Sequence, residues 1–196
     1  VTLGLALICG LFLLAYGNPV LLLGAGVAIA LCVPAYTAGP YPLAYRGWGD
    51  VCVLLFYGVI PVCLTYYVQA GTVTATTAWI SVALGLLSVN ILLVNNVRDQ
   101  EQDAAAGKRT TVVRFGRRFG TTLYLVCAVL AVACSWPAYF YRGAYTWLLF
   151  LIFLAFELVT WHDLRRLSGP DLNRVLGLTA RNIWIYTLLL VSLLAF

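Results

Sequence analysis

Three of the chain's seven acidic residues, Asp99, Glu101 and Asp103, fall within five positions of one another. The run around them reads Asn95-Asn96-Val97-Arg98-Asp99-Gln100-Glu101-Gln102-Asp103. On a continuing helix Asn95, Asp99 and Asp103 recur at every fourth residue and stack on one face, while Glu101 points elsewhere. Two carboxylates one turn apart repel each other unless something divalent lies between them. Ligands that are all oxygen suit a hard cation. Mg²⁺ in particular keeps several waters and takes the rest from one or two carboxylates and a phosphate. The following stretch supplies the complement. Arg98 adjoins the acids, Gly107-Lys108-Arg109-Thr110 follows within one short loop, and Arg114, Arg117 and Arg118 lie just beyond. Carboxylates for the metal with Lys and Arg for oxyanions are what a magnesium diphosphate ligand needs. A solvated loop carrying ordinary positive charges would use the same residue types, so the paired aspartates carry more of this reading than any single basic residue.

A second informative segment reads Tyr36-Thr37-Ala38-Gly39-Pro40-Tyr41-Pro42-Leu43-Ala44-Tyr45-Arg46-Gly47-Trp48-Gly49-Asp50. Two prolines and three glycines make it a defined, non-helical connection. Its tyrosines and Trp48 offer aromatic walls, and Arg46 is placed to reach a phosphate on the same side.

The elements that must position these residues are membrane helices. Of the 196 residues, 63% are hydrophobic and 10% charged, against roughly 45–50% and about 25% in ordinary soluble domains. Mean hydropathy is +0.94. So much apolar surface excludes a soluble globule, a disordered tail and a nucleic-acid binder. A membrane helix needs about 20 mostly apolar residues. Seven runs qualify, approximately 1–16, 19–35, 50–70, 73–94, 120–141, 144–161 and 180–196. Short breaks at Gly17-Asn18-Pro19, Gly71-Thr72 and Arg142-Gly143 predict antiparallel hairpins. The other connections, 36–49, 95–119 and 162–179, are long and polar. Alternation puts these three on one side, and that side carries all of the twelve Lys and Arg except Arg142. The bias marks it as cytoplasmic and places residue 1 there too. The net charge of +5 needs no nucleic acid to explain it. The six cysteines form no C-x-x-C pair and read as small apolar residues rather than as a disulfide framework or zinc site.

At the two polar segments the chain resembles the UbiA superfamily of intramembrane aromatic prenyltransferases, most closely the branch acting on 1,4-dihydroxy-2-naphthoate. The residues that carry the likeness are Tyr36 to Leu43 with Tyr45-Arg46-Gly47, then Thr65-Tyr66-Tyr67-Val68-Gln69, Asn95 to Asp103, Gly107-Lys108-Arg109-Thr110, and Leu172-Asn173 with Thr179 and Ala180. The resemblance implies an all-α, nine-helix bundle around a central cavity, with two Asp-rich motifs on cytoplasmic loops and Mg²⁺ as cofactor. It implies transfer of a polyprenyl group from its diphosphate to the naphthoate, with loss of the acceptor's carboxylate, in menaquinone or phylloquinone biosynthesis. The setting is the lipid bilayer, a bacterial inner membrane by expectation. One departure stands out: no Asp or Glu precedes Asp50, so the first Asp-rich motif is absent. The chain has no Met and opens inside an apolar run at Val1-Thr2-Leu3-Gly4. It therefore reads as a single domain, 1–196, lacking the family's first two helices and first motif.

On this reading Asp99 and Asp103 are the catalytic metal ligands. Arg46, Arg98, Lys108 and Arg109 bind the diphosphate. Tyr41, Tyr45, Asn95 and Asn96 contact substrate, the tyrosines as walls around an allylic cation. A sibling aromatic acceptor is the nearest alternative, and a secondary transporter the alternative from another class. Transporters place ionisable residues near the midplane, and the spans here are almost free of charge. Glu157 is the exception and reads as interfacial, near Arg165 or His162.

Overall fold

The computed structural model describes residues 2–143 and 145–194, so the expected cytoplasmic position of Val1 lies outside the described residues. Among these residues the chain is helical throughout, with no strand. Helix α1 covers Thr2–Leu13 and continues as a 3₁₀ turn to Tyr16. Helix α2, Pro19–Thr37, starts where the Asn18 side chain accepts hydrogen bonds from the amides of Val20 and Leu21, with Pro19 in the first turn. That is the arrangement in which a missing proline N–H costs nothing. After the first polar connection, α3 (Gly49–Leu54), a π turn (Leu55–Val59) and α4 (Ile60–Ala70) form one rod. Helix α5 spans Ala75–Arg98, capped by the Thr74 hydroxyl. Short helices α6 (Gln100–Ala105) and α7 (Thr111–Phe115) follow. The bundle closes with α8 (Arg117–Cys134), α9 (Trp136–Arg142), α10 (Thr146–Arg166) and α11 (Leu172–Leu194).

Among the described residues six helices are long and apolar enough to cross a bilayer, and the first apolar run forms the shorter helix Gly4–Tyr16. The seven expected runs are thus all helical, in a polytopic all-α membrane protein. Their ends differ from expectation. The polar connection expected over 162–179 contracts to 167–171, because α10 continues to Arg166 and α11 begins at Leu172. Apolar length marks where a helix must be, not where it stops. Leu164, Leu172 and Val175 are wholly buried, and that packing extends both helices past the hydrocarbon. Pro61 and Pro137 each fall in the first turn of a helix segment after a break, the π turn and Ser135 respectively, while Pro34 lies inside α2.

Helix α5 is the central column. It packs on α8, α3, the π turn and α11, and twelve of its residues are buried. Its approach to the neighbouring rod is close. A Cβ on Gly58 would lie 2.2 Å from the Cα of Gly85, and one on Gly85 would lie 2.6 Å from the carbonyl oxygen of Leu54. Small residues allow such backbone contact between membrane helices.

Glu157 is not interfacial. It is fully buried between α8, α10 and α11, where the Tyr124 hydroxyl donates to its Oε2 at 2.7 Å. Tyr124 also meets Thr179, and Asn182 donates to Thr160. A carboxylate on an apolar helix turns toward hydroxyl partners inside the bundle rather than toward lipid. His162 lies instead beside Asp163, at 3.9 Å.

The glycine contact yields a stability test. Gly85→Ala forces a methyl against immovable backbone, and overpacking of this kind costs about 1–3 kcal/mol. Thermal unfolding in detergent should drop by several degrees, and an unchanged midpoint would show that the helices can part without cost.

Candidate functional site

The polar segments meet at one end of the bundle. Helix α5 stops at Arg98, but its hydrogen-bond rungs persist: the Asp99 amide donates to the Asn95 carbonyl at 2.9 Å and the Asp103 amide to the Asp99 carbonyl at 2.8 Å. Asn95, Asp99 and Asp103 therefore keep a common face across the joint between α5 and α6, as their spacing predicts, and Glu101 is exposed. The first connection is pinned against the next one. The Arg109 amide donates to the Tyr45 carbonyl at 2.8 Å, and Arg114 Nη2 donates to the Arg46 carbonyl at 2.8 Å. Gly47 makes this possible. Its φ of +84° is a left-handed turn, and a Cβ there would lie 2.9 Å from the Arg109 carbonyl oxygen. Only glycine meets both demands without strain. The start of α11 joins through Arg98, whose Nη1 donates to Asn173 Oδ1 at 2.7 Å.

Between these segments lies a polar chamber of about 350 Å³. Asn95, Asn96, Asp99, Asp103, Tyr45 and Lys108 all line it, so the structure brings together six of the ten residues singled out from the sequence. The other four stand around it. Arg98 holds Asp99 from behind, with Nε and Nη2 donating to the two carboxylate oxygens at 2.7 and 2.8 Å. Arg46 lies over the ring of Tyr41, 4.4 Å from its centroid, and both residues are exposed. Arg109 contributes its backbone to the loop contact and is also exposed. The expected repulsion between Asp99 and Asp103 is relieved by their own cations, since Lys108 Nζ donates to Asp103 Oδ1 at 2.6 Å. The paired guanidinium holds the Asp99 carboxyl below the usual carboxylate range. The hydrogen bond to Asp103 raises the Lys108 ammonium above its usual value.

The UbiA prenyltransferase family matches residues 1–186. This chain belongs to that family. Among its relatives are two 1,4-dihydroxy-2-naphthoate octaprenyltransferases. That of Haemophilus influenzae is 36% identical over 139 residues, 71% of this chain and 45% of the relative. That of Bacillus subtilis is 30% identical over 153 residues, 78% of this chain and 48% of the relative. The 2-carboxy-1,4-naphthoquinone phytyltransferase of Synechocystis is 30% identical over 137 residues, 65% of this chain and 44% of the relative. The chain thus spans about half the length of the curated relatives it matches. No solved structure matches.

In this UbiA-family chain the polar chamber does not stand alone. A larger apolar chamber of about 760 Å³ lies alongside it, walled by α2, the π-turn rod and α5. The two share Tyr36, Thr37, Leu92 and Asn95. Phe56 and Tyr57 of the π turn face the apolar side, in keeping with the tendency of such turns to mark functional positions. The sequence reading did not single out Tyr36, Thr37, Thr110, Thr111 or Asp50 as site residues, yet all line the polar chamber. Asp50 had a signal: it is the sole acidic residue among the first 98. The threonines had none, since a hydroxyl on a loop has no distinctive spacing. Among the described residues no three His, Cys, Asp or Glu side chains gather as a metal cage. The chamber's possible metal ligands are oxygens, with three carboxylates among them, which suits a hard cation that brings waters and phosphate oxygens of its own.

The Arg98 contact can be read by titration. Above the ordinary carboxylate pKa the pair contributes fully, and that contribution is lost as pH falls through the lowered value in the folded protein. Arg98→Gln should therefore move the Asp99 midpoint upward in carboxyl-detected NMR of the labelled protein. An unmoved midpoint would mean that Arg98 does not set the charge of Asp99.

Proposed function

We propose that the protein to which this chain belongs transfers a polyprenyl group from its diphosphate to 1,4-dihydroxy-2-naphthoate, with loss of the carboxylate, in menaquinone or phylloquinone biosynthesis. One observation carries the reading: a small chamber with three carboxylates and a lysine shares a wall with a larger apolar one. A polyprenyl diphosphate has that same division, an anionic head on a long hydrocarbon tail. The names of the relatives and the family membership support the donor and the acceptor class.

Asp99 and Asp103 are the residues that would hold Mg²⁺, and when bound it would neutralise the diphosphate and make it a better leaving group. Lys108 exchanges its contact with Asp103 for a phosphate oxygen, within a side-chain rotation of its present place. Arg46 and Arg109 supply positive charge at the rim. Asn95 and Asn96 orient the head of the ligand. Tyr45 and Tyr36 present ring faces where the allylic carbon acquires charge, and such faces stabilise a cation. Tyr41, whose ring carries Arg46, fits a place at the mouth better than one in the wall. The apolar chamber excludes water from the cation and takes the tail. The long connections face the cytoplasm, on the charge count, and an inner bacterial membrane is the setting that fits. Glu157 lines neither chamber, so the one carboxylate sealed within the bundle gives a transport pathway no support.

The test uses membranes containing the whole protein, labelled polyprenyl diphosphate and the naphthoate. Asp99→Asn and Asp103→Asn should each lower prenyl transfer about 100-fold or more, the scale of losing a preorganised electrostatic contact. Omitting Mg²⁺ should abolish transfer. Undiminished turnover in both variants would sink the assignment of the aspartates. Preference for another aromatic acceptor over the naphthoate would replace the substrate while leaving the chambers' roles intact.

A further inference from the structure

Asp50 is unlike the other two carboxylates of the polar chamber. It opens α3 at the chamber wall, and Thr111 donates to its Oδ2 at 2.7 Å. No lysine, arginine or histidine forms an ion pair with it among the described residues. Its other oxygen, Oδ1, is buried with no hydrogen-bond partner. A buried acceptor left unmatched costs about 1–3 kcal/mol, a cost that a donor brought by the chamber's ligand would relieve. It is not a third member of a metal cage with Asp99 and Asp103, since no such cluster forms among the described residues. Asp99 and Asp103 already carry their own cations. The unmatched oxygen calls for a donor; the oxygens of a diphosphate are acceptors, and the metal is assigned to Asp99 and Asp103. A hydroxyl on an aromatic ring is a donor, and Tyr45 and Tyr36, which line the same chamber, offer flat surfaces for that ring.

Resting on the proposed prenyl transfer, we propose that Asp50 binds the ring hydroxyl of the aromatic acceptor through Oδ1 and takes its proton during the reaction. The balance is closed. The acceptor's O–H bond breaks and its proton passes to Oδ1. The oxygen's electron pair becomes a C=O π bond, and the adjacent ring carbon forms the new C–C bond to the allylic carbon. The allylic C–O bond breaks, and its electron pair leaves with the diphosphate. The carboxylate on that ring carbon then departs as carbon dioxide. The electrons it leaves restore the aromatic ring, and the ring oxygen recovers its proton from Asp50. The carboxylate of Asp50 ends as it began. Thr111 occupies Oδ2, which leaves Oδ1 for the acceptor.

The test compares the whole protein with Asp50→Asn and Asp50→Glu in membranes, using two measurements. One is the kcat for transfer to 1,4-dihydroxy-2-naphthoate; the other is Mg²⁺-dependent binding of labelled polyprenyl diphosphate. Asp50→Asn should lower kcat about 100-fold or more, the range of general-base catalysis, while binding and the KM for polyprenyl diphosphate change less than about 3-fold on the same scale. Asp50→Glu should recover a tenth or more of the lost kcat. Transfer by Asp50→Asn within about 3-fold of the parent would overturn the proposal. Loss of diphosphate binding in both variants would also overturn it, by moving Asp50 into the diphosphate cradle. If Asp50→Asn alone fails to bind, Asp50→Glu decides, and binding without transfer there overturns the proposal. A parent protein that binds polyprenyl diphosphate yet never prenylates the naphthoate would instead overturn the reading of function on which this rests.

Discussion

A carboxylate at the edge of a hydrocarbon slab must find its compensation close by, because water is scarce and an uncompensated buried charge is very costly. Each acid that this bundle draws inward finds at least one partner close by, while one oxygen each of Asp50 and Glu157 stays unmatched. Asp99 takes two hydrogen bonds from the neighbouring Arg98, Asp103 takes one from Lys108, Asp50 takes one from Thr111, and Glu157 takes one from Tyr124. For Asp99 and Asp103 the compensating cations come from the same stretch of chain, one and five residues away. The polar chamber therefore sets paired carboxylates and cations side by side, with Asp50 left without a cation, and it can admit a ligand that brings cations and anions together. A chamber of bare carboxylates would reject a diphosphate, and one of bare lysines would reject its metal.

That balance depends on how closely the helices approach. The Gly58–Gly85 contact lets α5 lie against the α3–α4 rod with backbone nearly touching backbone, and the π turn in that rod sends Phe56 and Tyr57 into the apolar chamber. The same column, α5, carries Asn95 at the junction of the chambers, and Asp99 follows one turn further out, just past its end. One helix thus sets the depth of the junction and the distance from it to the charged end. The polar connections add precision through main-chain contacts: the carbonyls of Tyr45 and Arg46 are held by Arg109 and Arg114, and Gly47 supplies the left-handed turn between them.

Much of this was legible before any coordinates. The apolar runs located the helices, the charge asymmetry grouped the polar connections at one end, and the four-residue spacing of Asn95, Asp99 and Asp103 put them on one face. What escaped depended on partners distant in the chain. Arg98 looks like a ligand-binding cation beside two acids, but Asn173 and Asp99 claim it. Glu157 looks interfacial by its position near the end of an apolar run, but the Tyr124 hydroxyl, from another helix, draws it inward. Arg46 and Tyr41 satisfy each other by stacking, which no spacing rule announces. The boundaries of α10 and α11 were misplaced because burial of Leu164, Leu172 and Val175 outweighs the arginines around them. The threonines of the loop gave no pattern at all.

The wall common to both chambers, Tyr36, Thr37, Leu92 and Asn95, has a directional consequence. A molecule with a charged head and an oily tail fits across it in only one orientation, so the bond between head and tail is pinned to the threshold. Once that bond is cut and the head departs, nothing on the oily side grips what remains. In the proposed reaction, release of the lipid product into the membrane then follows from the chemistry itself and needs no gate of its own.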